Sequence, residues 1–383
     1  MHKAIKPLLG LLMVTLLLFV AACGDDEEES GSSGSTTTAA DGDDAGAAGL
    51  AEAKKIQQEA LTQFGEFQMP TEPFDPGNKK GLVIASGFLA PVIAEQAKIA
   101  VEAFKTMGWD APPPLDGKFL PATVGGYIEQ AIADKVDGIV FISHNVDDNK
   151  AQVEKARDAG IAMSCVNCAV GDELKAMGVT DVSVDFEKQG ELQGWNVIAL
   201  SEGKGKIVIT TDPSRQPVVK RVAGTERIIK ENCPGCEYEI KTITVAETAK
   251  PGPPTWTSLL ATRPEGEITH GISYYDGMAV PMAKSAETSG RTDVAVLGYD
   301  ADAAAIEMVR KGPVFVTDIA IPYSFETWGA VDQVGREKAG LEPWDSDDQP
   351  SKLITKDNAA EYTPWFSPEG DWEGEYKKLW GKG

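Results

Sequence analysis

Gly138-Ile139-Val140-Phe141-Ile142 is a run without a single polar side chain, and Gly81-Leu82-Val83-Ile84-Ala85 is another, earlier in the chain. Strands with one wet face alternate apolar and polar residues, so continuous apolar runs rich in Val and Ile mark strands covered on both sides. Between and after them the pattern changes to helical spacing, over residues 91–107, 124–135 and 147–159, and a third strand follows at 160–166. Buried strands separated by amphipathic helices mean a parallel sheet with helices on both faces. Pro112-Pro113-Pro114 occupies the place of the second strand. Proline lacks the ladder donor and is tolerated at sheet edges, which suits a 2-1-3-4-5 strand order with the second strand outermost.

The same alternation then repeats. Strands are expected at 206–210, 238–245, 268–274, 293–298 and 314–319, with helices at 186–202, 218–231, 256–263, 279–289 and 301–311. Two successive doubly wound α/β units predict two Rossmann-like lobes. Ligands of open α/β sheets lie beyond the carboxyl ends of the strands, so two facing lobes would share one cleft. Ahead of the first strand, a helix is expected over 50–67, broken by Pro70, Pro73 and Pro76.

The beginning of the chain carries an address. Lys3 and Lys6 precede an apolar run from Leu8 to Val20, too short for a comfortable permanent span, and Val20-Ala21-Ala22-Cys23 has the small-residue pattern that ends in a lipidated cysteine. An ordinary secretory leader with a chance cysteine is the alternative. On the lipoprotein reading, residues 1–22 are removed and Cys23 is acylated, which anchors the protein to a bilayer without spanning it. Residues 24–48 combine Asp25, Asp26, Glu27, Glu28, Glu29, Asp41, Asp43 and Asp44 with Ser, Gly, Thr and Ala, a composition expected to form a flexible acidic tether.

The net charge of −23 argues against nucleic acid or anionic lipid surfaces as charge-driven partners. His144 and His270 are the histidines beyond the leader, and HExxH, GxSxG and P-loop patterns are missing, so the sequence offers no catalytic constellation, metal site or cofactor motif. Its length and 42 % hydrophobic content suffice for two domains.

Several short motifs resemble one family: Leu82-Val-Ile-Ala-Ser86 with Pro91 opening a helix, Val184-Asp185-Phe186 before Gly190, Tyr274-Tyr275-Asp276-Gly277-Met278-Ala279, Gly298-Tyr299-Asp300-Ala301-Asp302, and Leu353-Ile354-Thr355-Lys356-Asp357-Asn358. Their order over residues 78–358 resembles the type I periplasmic solute-binding proteins of ABC importers, in the branch that includes ribose and galactose binders. The resemblance implies two lobes joined by three crossover strands, here near Asp185, Ala246 to Thr255, and Asp318 to Pro322. It also implies a hinged clamp that closes on a small solute and delivers it to an ABC permease, and it puts Ser86 to Ala90, Asn167-Cys168, Arg221, Tyr275 and Asp300 at the cleft. Where sugar binders of this branch have an Asn and aromatics after the first strand, this chain has Ala90, Val92 and Ile93. Asn167-Cys168 replaces an Asp-Arg pair, Tyr275 a typical Asn, and the usual hinge glutamine falls near Ala320. The implied solute is therefore less hydroxylated than a free hexose, or differently oriented.

Asp300, at a strand's carboxyl end, could accept hydrogen bonds from adjacent hydroxyls, or cap the next helix, or both. His144 follows a strand towards the cleft mouth, and Phe88 and Trp256 are aromatics that could stack on a ring or lie in the core. Arg215 and Lys220 compete with Arg221 for the same role. Cys233-Pro234-Gly235-Cys236 has the Pro-Gly centre of a type II turn, which brings the flanking Cα atoms within disulfide reach. Cys165-Val166-Asn167-Cys168 would span about 10 Å if extended, so a bridge there needs an immediate turn at Val166. Zinc bound by both pairs, or thiol–disulfide catalysis, are the functional alternatives to two structural bridges.

The chain is thus expected to be a monomeric, non-enzymatic solute-binding lipoprotein on the extracytoplasmic face of a cell membrane. Its partners are a small polar solute (by default a sugar), an ABC permease and the bilayer; a ligand-presenting sensor is the rival. Boundaries are expected at 1–22 (leader), 23–48 (tether), 49–77 (helix and linker), 78–185 with 318–340 (first lobe), and 186–317 with 341–383 (second lobe and tail).

Overall fold

The computed structural model describes residues 40–383 apart from 64, 249, 251, 345 and 363–365. The leader, Cys23, the tether as far as residue 39, Phe64 and Trp365 lie outside the described residues. Helix α1 (Ala40–Ala60) comes first and begins inside the segment expected to be a tether. Small residues let it dock: Gly49 is buried against the end of the helix Gln216–Asn232, where a Cβ would lie 2.0 Å from the Asn232 carbonyl, and Ala53 is fully enclosed. That contact outweighs the polar composition of its first turns.

The first lobe comprises β1 (Gly81–Ala85), α2 (Pro91–Met107), β2 (Leu115–Asp116), α3 (Pro121–Ala133), β3 (Gly138–Ile142), α4 (Lys150–Asp158), β4 (Ala162–Val166), α5 (Asp172–Ala176) and β5 (Thr180–Val182). Its sheet is parallel in the order β2-β1-β3-β4-β5. The proline triplet leaves room for only two residues of β2, at the edge as expected. Every residue of β1, β3 and β4 is buried, the outcome their unbroken apolar runs demand.

The second lobe comprises α6 (Phe186–Leu200), β6 (Lys206–Thr211), α7 (Gln216–Asn232), β7 (Glu237–Thr242), α8 (Val245–Thr248), α9 (Pro254–Thr262), β8 (His270–Ile272), α10 (Asp276–Thr288), β9 (Ala295–Asp300), α11 (Ala303–Lys311) and β10 (Phe315–Ala320). After α12 (Tyr323–Ala339) in the first lobe, β11 (Lys352–Thr355) returns to close the sheet β11-β10-β9-β8-β6-β7, antiparallel only at β11. Helix α13 (Trp372–Leu379) ends the chain.

Three expectations about the division into lobes need correction. Residues 318–320, assigned to the first lobe, complete β10 in the second sheet because their backbone pairs with β9 and β11. Ala246, Glu247 and Thr248 lie in α8 and Pro254 and Thr255 open α9, both in the second lobe, so these residues are not a crossover. The third crossover follows α12, where Ser183 N donates to Ser346 O and Gln349 N donates to Ser183 O, both at 3.0 Å. Finally, α13 belongs with the first lobe, not the second. Tyr376 and Trp380 are buried against α12, with Trp380 stacked on Trp328 (5.2 Å between centroids) and its Nε1 donating to Asp332 Oδ1 at 2.8 Å. Burying such aromatics is worth about 2–3 kcal/mol each, enough to draw the C-terminus across the hinge. The linker 61–80 also crosses, from α1 on the second lobe to β1 in the first. No helix among the described residues is long and apolar enough to cross a membrane.

Candidate binding site

The carboxyl ends of the parallel strands of both sheets face one cavity. The first lobe contributes Ala90, Val92 and Ile93 at the start of α2, Phe119 after β2, Ser143 after β3 and Asn167 after β4. The second contributes Arg215 just ahead of α7, Val218 and Arg221 within it, Val245 at the start of α8, Tyr274 and Tyr275 after β8, and Asp300 at the end of β9, with Phe186, Ile321 and Tyr323 beside the hinge. Several of these loop residues have left-handed backbones without being glycine: Phe119 (φ 56°), Ser143 (48°), Asn167 (56°) and Asp300 (103°). Such conformations cost about 1–3 kcal/mol each and persist where packing over-determines them, typically at functional sites.

Arg221 is held from every side. Its Nε donates to Gln189 Oε1 (3.0 Å), Nη1 to Tyr274 O (2.8 Å) and Nη2 to Asp300 Oδ1 (3.3 Å), while its guanidinium lies over the Tyr299 ring at 4.4 Å. Arg221 and Asp300 are 5 % and 3 % exposed, so this is a buried charge pair with its donors satisfied. Burial raises the Asp300 carboxyl, opposed chiefly by Arg221, and the Tyr323 hydroxyl hydrogen-bonds it as well. Asp300 takes no part in capping α11 by side-chain hydrogen bonding; Asp302 is that helix's N-cap residue.

Asn167 Nδ2 donates to Glu326 Oε2 (2.8 Å) on α12, leaving Asn167 Oδ1 buried beside the cavity without a donor. Burial pushes the Glu326 carboxyl well up, as expected for a proton-bearing acid inside the first lobe. Tyr275 shares a 2.7 Å hydrogen bond with Thr248 Oγ1 and stacks on Tyr274; burial pushes its hydroxyl up to about 12, so it is neutral. Arg215 bridges the lobes: Nη2 donates to Ser143 O at 2.6 Å and the guanidinium lies 5.2 Å from the Phe119 ring centroid. The two lobes are therefore in contact across the cavity mouth.

Asn167, Arg221, Tyr275 and Asp300, which the family resemblance put at the cleft, line one cavity. Ser86 and His144 line an adjacent crevice that shares Phe119 and Arg215 with it. There His144 Nε2 is 2.7 Å from Asn149 Oδ1, and burial lowers the imidazole below its usual range. Phe88 and Trp256 line neither space. Phe88 packs at the rim of the first-lobe core, and Trp256 is fully buried under β8, donating from Nε1 to Met282 O. The aromatic surfaces come instead from Phe119, Phe186, Tyr274 and Tyr323, which were not singled out. Phe119 and Tyr323 follow a two-residue strand and a hinge turn, neither of which leaves a periodic signal.

Cys165 and Cys168 have Cα atoms 5.9 Å apart and Cys233 and Cys236 5.3 Å, both within disulfide range. The turn at Val166 that the first pair requires is present, with Asn167 and Ala169 both left-handed. Asp181 lies beside this pair and its carboxyl is pushed up to about 6 by burial, but its oxygens already accept Cys168 N (3.2 Å) and Val170 N (3.0 Å).

The model of a family described as "Periplasmic binding protein domain" matches residues 116–330. Among curated proteins, none shows significant sequence similarity to the chain. Solved structures share the fold. A sugar ABC transporter protein from Yersinia enterocolitica aligns with a TM-score of 0.70 at 18 % identity, covering 82 % of this chain and 99 % of its own. An ABC transporter periplasmic solute-binding protein from Actinobacillus succinogenes with bound D-allose gives 0.66 at 21 %, covering 74 % and 100 %. One from Bacillus halodurans with bound myo-inositol gives 0.66 at 21 %, covering 76 % and 99 %.

Proposed function

Because the chain belongs to the periplasmic binding protein domain family, we propose that it is an extracytoplasmic solute-binding protein that captures a small polar solute by hinge closure and hands it to an ABC permease. The observation that carries this reading is the cavity enclosed by both lobes, with the Arg221–Asp300 pair on one wall and the Arg215–Ser143 contact across its mouth. A solute seated there would touch both lobes at once, which is what makes closure depend on its presence.

The solute class is a sugar or polyol, by similarity to neighbours that hold D-allose and myo-inositol. Asp300 offers an acceptor, Asn167 Oδ1 an acceptor without a donor, and the aromatic rings a stacking face, while Ala90, Val92 and Ile93 form an apolar wall that favours a solute with one poorly hydroxylated side. Asn167, Arg221, Tyr275 and Asp300 are the proposed contacts, with Arg215 as a closing latch. Both cysteine pairs are proposed as structural bridges, the first bracing the loop that carries Asn167. Cys23 is proposed as the lipid anchor, which would keep a monomeric clamp near its permease.

The test is a thermal-shift screen of D-allose, myo-inositol, allitol, D-arabinose and glycerol against amino acids and nucleosides. A ligand at a hundred times its Kd stabilises the native state by about 2.7 kcal/mol, readily seen as a higher melting temperature. A shift with a sugar or polyol that disappears in Asp300→Ala is expected. Shifts with amino acids or nucleosides alone would refute the solute class.

A further inference from the structure

Behind the pocket floor, two buried carboxyls each leave one oxygen without a donor. Asp276 opens α10 and Asp318 lies in β10, at 1 % and 0 % exposure. Their other oxygens are occupied: Asp276 Oδ2 accepts Asp302 N at 2.7 Å, and Asp318 Oδ1 accepts Ala301 N at 3.1 Å. Asp276 Oδ1 and Asp318 Oδ2 have no hydrogen-bond partner. Both flank the same spot over β9, where a Cβ on Gly298 would lie 2.6 Å from the first and 3.0 Å from the second. No cation pairs with either carboxyl among the described residues, since Arg221 is spent on Gln189, Tyr274 O and Asp300. Two enclosed carboxylates facing each other repel strongly, whereas one proton between the orphan oxygens satisfies both.

The amides they hold are those that follow Asp300. Asp300 and Ala301 have φ of 103° and 55°, backbone that L residues adopt only when constrained. This turn sets the direction of the Asp300 side chain towards Arg221 and the cavity.

We propose that Asp276 and Asp318 share one proton and act as positioning residues, holding the Asp300–Asp302 turn in its left-handed form and so keeping Asp300 aimed at the solute pocket. The consequence for binding rests on the reading of Asp300 as a solute contact; the pair itself does not. Burial pushes the Asp318 carboxyl up to about 7 and raises Asp276 well above the usual carboxylate range, with the facing Asp318 adding to that rise, and Asp300 and Asp302 push both the same way. The Arg221 guanidinium and the Tyr323 hydroxyl favour the charged form of Asp300 and act on the pair through it. Folded values above the unfolded ones mean that the pair's contribution is present in acid and is lost as pH rises through about 7. Removing the proton then strains the turn first.

The test uses ligand-free protein, so an error in the solute reading cannot mask the result. Hydrogen exchange at the Ala301 and Asp302 amides, corrected for intrinsic chemistry, is measured at pH 5.5 and 8.5 in wild type, Asp318→Asn and Asp318→Ala. Asn places a permanent donor opposite Asp276 Oδ1 while keeping an acceptor for Ala301 N. Wild type should lose about tenfold or more in protection across this range. Asp318→Asn should lose none, and Asp318→Ala should be unprotected at both values. Equal pH dependence in wild type and Asp318→Asn, or full protection in Asp318→Ala, would overturn the proposal. Carbon-13 NMR of the wild-type aspartate carboxyls provides a readout free of variants. A carboxyl at this site still titrating above pH 6 supports the shared proton, and ordinary titration of both near pH 4 refutes it. A failed solute screen with this pH profile intact would count against the solute reading alone.

Discussion

Trp256 lies in α9 of the second lobe and, as an isolated aromatic, was compatible with a stacking platform and with core. Its ring sits against Gly271, where a Cβ would come within 2.6 Å, and it is wholly enclosed. Trp256→Ala is expected to cost about 3–5 kcal/mol of stability, measured by denaturant unfolding, because a large cavity would be left behind. A loss under about 1 kcal/mol would show that the site is not packed as described. The place of Asp300 beside the cavity was legible because the end of its apolar strand is readable from the sequence and the carboxyl ends of such strands face the cleft. Arg221 and Arg215 were not separable in advance. Arg215 stands just ahead of α7 and Arg221 within it, and only the packing of α6 against α7 aims Arg221 at Asp300 while Arg215 reaches over to Ser143.

That packing is an element-scale property. Helices α6 and α7 approach so closely that a Cβ on Gly190 would fall 2.0 Å from the Arg221 carbonyl, and one on Gly224 2.2 Å from the Glu187 carbonyl. Backbone cannot give way as a side chain does. Gly190→Ala is therefore expected to push the helices apart, destabilise the fold by about 1–3 kcal/mol and weaken solute binding by moving Arg221 off Asp300. Calorimetric titration beside a melting curve checks this: unchanged affinity would mean that Arg221 does not depend on the helix contact. The long buried strands and amphipathic helices were readable because their periodicity reports burial directly. Helix α12 escaped notice for the opposite reason. It is buried nearly all round, yet carries Glu326, Asp332, Gln333 and Arg336 inside, with Arg336 Nε donating to Asp332 Oδ2 at 2.5 Å. Polar residues held by distant partners, Glu326 by Asn167, Asp332 by Trp344 and Trp380, and Gln333 by Ser346, erase the hydrophobic pattern that would have revealed it. Strands β2 and β5 are too short to show any period.

At the scale of the whole molecule, α1 fastens the N-terminal segment to the second lobe, through Leu50, Ala53 and a 2.8 Å hydrogen bond from Gln57 Nε2 to Asn196 Oδ1. A tether ahead of it would thus hold the second lobe to the bilayer and leave the first free to swing. Cys23→Ser is expected to release the protein into the soluble extracytoplasmic fraction without altering its melting temperature, read by fractionation and calorimetry. Retention of the Ser variant on the membrane would refute the lipid anchor.

The order of the long buried strands and amphipathic helices, the doubly wound character of both lobes and the carboxyl-end position of the cleft were determined by sequence alone, because each follows from local periodicity and the chirality of βαβ units. The hinge strands, the crossing of α13 to the first lobe and the aromatic lining of the pocket were decided only by tertiary structure. Each depends on which distant surfaces meet: the edges at Ser183 and Gln349, the ring of Trp380 on Trp328, and Phe119 beneath Arg215. Such contacts join residues far apart in the chain, and no local pattern of side chains encodes them.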